Sequence, residues 1–291
     1  MILLEKFEII AEKDLCFFSQ EKKVCTQKGL VLAKFGNKMK TNYKMIISYD
    51  GTRYSGWAAQ KNTDVTIQGK IEEVLTRMCG GDEITLIGAG RTDAGVHARA
   101  MVANVHLEAD VNGRAYKPKY VQDYLNTYLP EDISVKEVVV ASDRFHSRYN
   151  ATGKTYCYTC YLGAGKPVFD RKYVYYPEKE PDIEKMKQAA KLLEGTHDYM
   201  SFCGNPKMKK STVRTVDSIK IIRKGDYLRF IYHGDGFLQN MVRIMTGTLL
   251  EVGFGDRNAE SMTEILEAKD RTKAGFMAMA KGLCLESVDY Q

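Results

Sequence analysis

No run in this sequence approaches the roughly 18 consecutive apolar residues that span a bilayer, so no membrane helix is expected. The N-terminus lacks a short apolar core followed by a small-residue cleavage site, the mark of export. The expected location is therefore the cytoplasm. Cysteine is sparse: Cys16, Cys25, Cys79, Cys157, Cys160, Cys203 and Cys284 are scattered and odd in number, which argues against a disulfide framework. Only Cys157 and Cys160 have metal-like spacing. They fall in KTYCYTCYL, an alternating run that reads as a strand, on which residues three apart face opposite ways. No second pair accompanies them, so no metal is expected. Low-complexity tracts and Pro/Gly/Ser-rich linkers are missing too, so the parts of the chain are expected to share a continuous interface.

What is present is ordinary in bulk. The 291 residues are 44% hydrophobic and 27% charged, enough to bury a sizeable core in one large or two smaller domains. Basic residues exceed acidic ones by 43 − 37, giving a net charge of +6. That permits a polyanionic partner without demanding one.

Residues 1–40 show weak periodicity and no clear turn signals, and Met39 begins a run that would make a natural start. They read as an extension with no assigned function. From Tyr43 the pattern sharpens. YKMIISYDG is a strand running into a turn, and TIQGKIEEVLTRMCGG spaces Ile67, Ile71, Val74, Leu75 and Met78 as an amphipathic helix. ITLIGAG and MVANVHL read as strands flanking a loop, KYVQDYLNTYLP as a helix stopped by Pro130, and ISVKEVVVA as a strand. This β-α-β-β-α-β order is the split βαβ, or ferredoxin-like, arrangement. The second half varies the same plan. Strands KTYCYTCYL and KYVYYP precede the helix PDIEKMKQAAKLLEG, then a hairpin turning at Lys224-Gly225-Asp226, the apolar helix FLQNMVRIMTGTLLEVGFG, SMTEILEAK, and the strand LCLESVDY. The expected fold class is α+β. Two ferredoxin-like halves (41–145 and 146–291) would form one mostly antiparallel sheet, with helices on one side and a central cleft.

The most informative segment is Gly88-Ala-Gly-Arg-Thr-Asp93-Ala-Gly-Val-His97-Ala. Its glycines at 88, 90 and 95 allow unusual dihedrals and close approach to a ligand. Three readings stand for this loop. Asp93 can bond its own backbone in a plain turn, the loop can cradle a phosphate, or the carboxylate can do chemistry. The phosphate reading is weak, because the segment is not GxGxxG and no GK[ST] follows.

GRTDAGVHA resembles the catalytic-loop signature of the TruA-type tRNA pseudouridine synthases, and further blocks match in order. They are Tyr49-Asp-Gly-Thr-Arg-Tyr-Ser-Gly-Trp57, Thr66-Ile-Gln-Gly, Leu125-Asn126 with Leu129-Pro130, Phe145-His-Ser-Arg148, and Ala151-Thr-Gly-Lys-Thr-Tyr156-Cys-Tyr158. Gly195-Thr-His197-Asp198-Tyr-Met-Ser201-Phe202, Val213-Arg214-Thr, Gly236-Phe-Leu-Gln-Asn-Met-Val-Arg243 with Gly247, and Gly282-Leu-Cys-Leu285 complete the set. The resemblance runs from about residue 43 to the C-terminus.

It implies an isomerase that converts uridine to pseudouridine on the 3′ side of the tRNA anticodon stem-loop, usually as a homodimer. The reaction breaks the N–C1′ bond, rotates the base and rejoins it through C5, so no cofactor or metal is required. The resemblance makes Asp93 the nucleophile, at C1′ or at C6. Arg243 would pair with it and keep it ionised, and Tyr156 would stack on the extruded uracil. Arg91 would help flip the base, and Leu285 (or Leu283) would pack its other face. Arg148, Lys154, Arg214 and the run Lys207-Met-Lys209-Lys210 can contact phosphates, while His97 reads as a structural residue rather than a base. Departures from the family pattern fall at Ala58-Ala59, at Cys203, and in Ala274-Gly-Phe-Met277-Ala-Met279-Ala. They bear on which uridines are modified, which leaves a paralogue acting at other RNA positions as one alternative. A non-catalytic RNA-binding or RNA-folding protein is another.

Overall fold

A computed structural model of the chain describes residues 40–81 and 83–291. Apart from Lys40, the expected extension 1–40 lies outside them. The described chain is α+β, with five α-helices and one mostly antiparallel sheet of nine strands.

In chain order the elements are β1 (Lys40–Tyr49), α1 (Ile67–Met78), β2 (Ile87–Gly88), β3 (His97–Glu108), α2 (Pro118–Tyr128) and β4 (Ile133–Val140). They continue with β5 (Ala151–Tyr161), α3 (Ile183–Leu192), β6 (Gly195–Asp198), β7 (Val213–Lys224) and β8 (Tyr227–Gly234). Last come α4 (Met241–Gly253), α5 (Ser261–Ala268) and β9 (Leu283–Tyr290). The strands lie in the order β4-β1-β3-β9-β5-β8-β7-β6, with β2 on the side of β3. β3 and β9 run parallel through only two residue pairs, His97 with Cys284 and Ala98 with Leu285. That short seam joins the first three long strands to the rest of the sheet, and it lies at the end of the Asp93 loop.

The helices follow from their patterns. α1 buries Ile67, Ile71, Val74 and Leu75, the face its 3.6-residue spacing marks out, and Thr66 caps it by accepting from the Gly69 amide. α3 is capped the same way by Asp182 on the Lys185 amide. α4 is apolar nearly all round and nearly all buried, as such a helix must be. It packs on α3 and approaches segment 274–278 so closely that a Cβ at Gly247 would lie 1.8 Å from the Phe276 carbonyl oxygen. Gly247→Ala is therefore expected to destabilise the fold by about 3 kcal/mol, an overpacking effect. Urea unfolding would show it as a lower midpoint with an unchanged slope.

Two strand expectations need correction. KYVYYP forms no strand: Tyr175 alone bridges Cys160, through its amide to the Thr159 carbonyl and its carbonyl to the Tyr161 amide. Pro177 follows two residues later and has no N–H to extend a ladder. ITLIGAG shrinks to Ile87–Gly88 because side chains of α1 take the preceding backbone. Glu72 accepts from the Leu86 amide and Gln68 donates to the Leu86 carbonyl. The short edge strand β6, in the GTHD block, is legible only as a motif.

Candidate active site

The Asp93 loop, residues 89–96, leaves β2 and enters β3. Its shape is set from below. The Tyr49 hydroxyl on β1 pairs with Thr92 Oγ1 at 2.8 Å in a buried bond, and the Trp57 amide donates to the Thr92 carbonyl at 3.1 Å. Gly56 makes the second contact achievable: its φ is +101°, and a Cβ there would stand 2.7 Å from the Thr92 oxygen. Inside the loop the Val96 amide donates to the Asp93 carbonyl, which turns the chain at Gly95 (φ +78°). The Asp93 side chain is left 28% exposed.

Beside it, α4 supplies Arg243. Its Nη1 lies 3.5 Å from Asp93 Oδ2, with the guanidinium 12% exposed. The sequence points to this pair but not to what aims it. Arg243 Nε donates to the Ala278 carbonyl at 2.8 Å, while the Ala278 amide donates back to the Arg243 carbonyl at 3.1 Å. Nη1 also reaches Asn240 Oδ1 at 3.3 Å. Asn240 sits just before α4 in the left-handed region (φ 59°), which asparagine tolerates better than most residues. An asparagine three residues ahead of an arginine at a helix start was the available signal.

Burial raises the Asp93 carboxyl above the ordinary aspartate range, and the charge of Arg243 opposes that rise without cancelling it. The arrangement is a partly desolvated carboxylate with a fixed cation beside it. Such a group can act as a nucleophile or a base.

Tyr156 on β5 lies near Asp93, only 8% exposed and edge-on to Phe237 at 5.3 Å. Burial, then the nearby Asp93 charge, raises its phenol far above the usual value, so it stays a neutral hydroxyl. In the β5–β9 register Tyr156 stands opposite Leu285, whereas Leu283 stands opposite Tyr158. Leu285 is thus the leucine directly across from Tyr156, with Leu283 one pair further along the same face. His97 is buried and satisfied: its Nδ1 accepts from the Gly51 amide and faces Asp50, and its Nε2 donates to the Lys172 carbonyl. Burial lowers its pKa, which fits a neutral structural imidazole.

Four basic residues carry the RNA-contact expectation. Arg91 and Arg148 are exposed and line one cavity. Arg214 is half-buried, with Nη1 on the carbonyls of Ser211 and Val213. Lys154 turns inward instead. Its Nζ donates to the Ala89 carbonyl at 2.9 Å, at the foot of the Asp93 loop, and lies 3.6 Å from where a Gly90 Cβ would be. Burial, then the charges of Arg148 and Arg214, hold the Lys154 amine down to about 8. Lys154→Met removes one charge-assisted bond from the loop and is expected to slow the chemical step roughly tenfold, by single-turnover assay.

Comparison with known proteins identifies the family. The tRNA pseudouridine synthase family profile matches residues 45–150 and 189–291. The chain is 49% identical over 249 residues to a "tRNA pseudouridine synthase A" of Bacillus sp. (strain KSM-64), covering 86% of this chain and 99% of that one. It is 45% identical, with the same coverage, to a "tRNA pseudouridine synthase A" of Clostridium kluyveri and to a "tRNA pseudouridine synthase A 2" of Bacillus anthracis. The chain belongs to the tRNA pseudouridine synthase family, whose enzymes are isomerases.

Proposed function

We propose that this enzyme isomerises uridines on the 3′ side of the tRNA anticodon stem-loop, with Asp93 as the nucleophile. The observation that carries the reading is the Asp93–Arg243 pair, 3.5 Å apart and mostly buried, with Tyr156 beside it. Asp93 attacks C1′ or C6 of the target nucleotide, Arg243 holds its charge and direction, and Tyr156 and Leu285 flank the extruded uracil. Arg91 enters the RNA as the base leaves, and Arg148 and Arg214, with the exposed Lys207, Lys209 and Lys210, meet the phosphates. Lys154 serves as the support of the loop rather than as a phosphate contact.

The sheet reads as two split βαβ halves, 41–145 and 146–291, with helices on one face and the cleft between them. The orders β4-β1-β3 and β9-β5-β8-β7 support that reading, since each follows the ferredoxin-like pattern. The enzyme acts in the cytoplasm as a homodimer with one tRNA across both subunits. A second reading keeps the reaction and changes the position. Phe276, Met277 and Met279 are exposed around Ala278, the residue that holds Arg243, where the family pattern carries a Thr-Ala-Pro-Ala-like segment.

Pseudouridine mapping of a full set of tRNA transcripts incubated with the enzyme tests both. Product confined to the 3′ side of the anticodon stem-loop supports the first reading, and product elsewhere the second. Tight tRNA binding without any product would overturn both.

A further inference from the structure

The cavity lined by Arg91 and Arg148 has a volume of about 220 Å³, and its lining includes none of Asp93, Arg243 and Tyr156. Its lining takes Gly90 and Arg91 from the Asp93 loop, Trp57, and His146, Arg148 and Tyr149 from the turn after β4. That turn is anchored firmly. Ser147, fully buried, donates its hydroxyl to the Ile87 carbonyl and its amide to Asn104 Oδ1, and its carbonyl accepts from the Tyr290 hydroxyl. The Arg148 and Tyr149 amides both donate to His146 Nδ1, and the His146 amide donates to Asn150 Oδ1.

The result is a rigid turn that presents an aromatic ring to solvent. Tyr149 is 78% exposed yet held 4.2 Å from the His146 ring, 32° from parallel. So exposed a ring adds little to the core, and a firmly built turn is not needed merely to keep it wet. The cavity lining has two guanidiniums and no carboxylate, which favours an anionic occupant. Arg91 is two residues from Asp93, so its Cα lies within about 7 Å of that of the nucleophile. A strand that places a uridine at Asp93 brings its neighbouring nucleotides close to Arg91, a residue of this cavity's lining. Unstacked RNA bases are held by aromatic faces, and their phosphates by arginines.

We propose that this cavity is a second nucleotide subsite, which takes the nucleotide flanking the target uridine. Its base stacks on Tyr149 and its phosphate lies between Arg91 and Arg148. The enzyme thereby holds two adjacent nucleotides out of the anticodon stem-loop stack, and the flank contributes to the choice of target. The inference rests on the proposed tRNA reaction.

The test measures kcat/KM for pseudouridine formation on intact tRNA and on tRNA made abasic at the nucleotide 5′ or 3′ of the target. Tyr149→Ala should lower kcat/KM on intact tRNA about tenfold, in the range of one lost base–aromatic stack. Tyr149→Phe, which keeps the ring, should restore it. An abasic residue on one flank should cost the wild-type enzyme a similar factor and cost Tyr149→Ala nothing further. Equal rates for Tyr149→Ala and wild type, or independent losses that multiply, would overturn the subsite while leaving the function standing. A wild-type enzyme that binds intact tRNA but forms no product would overturn the function and the subsite with it.

Discussion

Asp93→Asn is expected to remove pseudouridine formation by at least about 10⁴-fold while leaving a folded protein that still binds tRNA. A carboxylate that forms a bond to the substrate has no substitute in an amide of the same shape, and loss of a nucleophile elsewhere has effects of this order. Among the described residues the site leaves no neighbour to take over. His97 is bound to Gly51 and Lys172, and Tyr156 is held neutral by burial and by Asp93 itself. Stability should move the other way. The folded-state pKa of Asp93 lies above its unfolded value, so the ionised form is disfavoured by folding. That penalty is absent below the unfolded aspartate pKa and grows as pH rises through the raised folded value. At neutral pH the asparagine variant should therefore melt no lower than wild type, and its advantage should shrink on acidification. Thermal unfolding at two pH values reads this directly. Turnover by the variant within tenfold of wild type would remove Asp93 from the chemistry.

The readable parts of this protein were those governed by local rules. α1 could be placed because Ile67, Ile71, Val74 and Leu75 fall on one face, and Thr66 and the two glycines after Cys79 mark its ends. α4 could be placed because an apolar helix of that length has no other home than the interior. The reach of ITLIGAG could not be read, because Gln68 and Glu72 of α1 compete for the Leu86 backbone, and that competition exists only once the helix is docked. KYVYYP has strand composition, yet Pro177 and the turn at Asp170–Tyr173 leave one bridging residue.

The site divides in the same way. Asp93 and Arg243 are separated by 150 residues, and only the resemblance of two motifs suggested that they meet. The fixing of Arg243 by the Ala278 carbonyl and amide uses main chain, which leaves no trace in residue type. The inward turn of Lys154 was equally hidden. A lysine on a strand of a net basic chain reads as a phosphate contact until its bond to the Ala89 carbonyl is seen. The register of β5 on β9, which sets Leu285 opposite Tyr156, was not legible either.

Arg243→Ala is expected to lower the rate by at least about 10³-fold and to move the acid limb of whatever activity remains toward higher pH. Two effects combine. The proposed nucleophile loses the group that aims it, and small losses of aim are costly when reacting atoms must be held near contact distance. It also loses the charge that opposes its desolvation. Burial alone would then set the Asp93 pKa, and a smaller share of the enzyme would be ionised at any given pH. The sign is fixed: the active form is the carboxylate, so raising its pKa shifts the pH at which activity falls upward, never downward. Arg243→Lys separates the two contributions. Lysine keeps a cation near Asp93 but cannot bond the Ala278 carbonyl, Asn240 and Asp93 at once from a planar fork. It should recover the wild-type acid limb while remaining slower. A pH–rate profile of single-turnover constants for the three proteins distinguishes these outcomes. If Arg243→Ala were slow with an unmoved limb, the arginine would matter for aim alone; near-normal speed would put it outside the reaction.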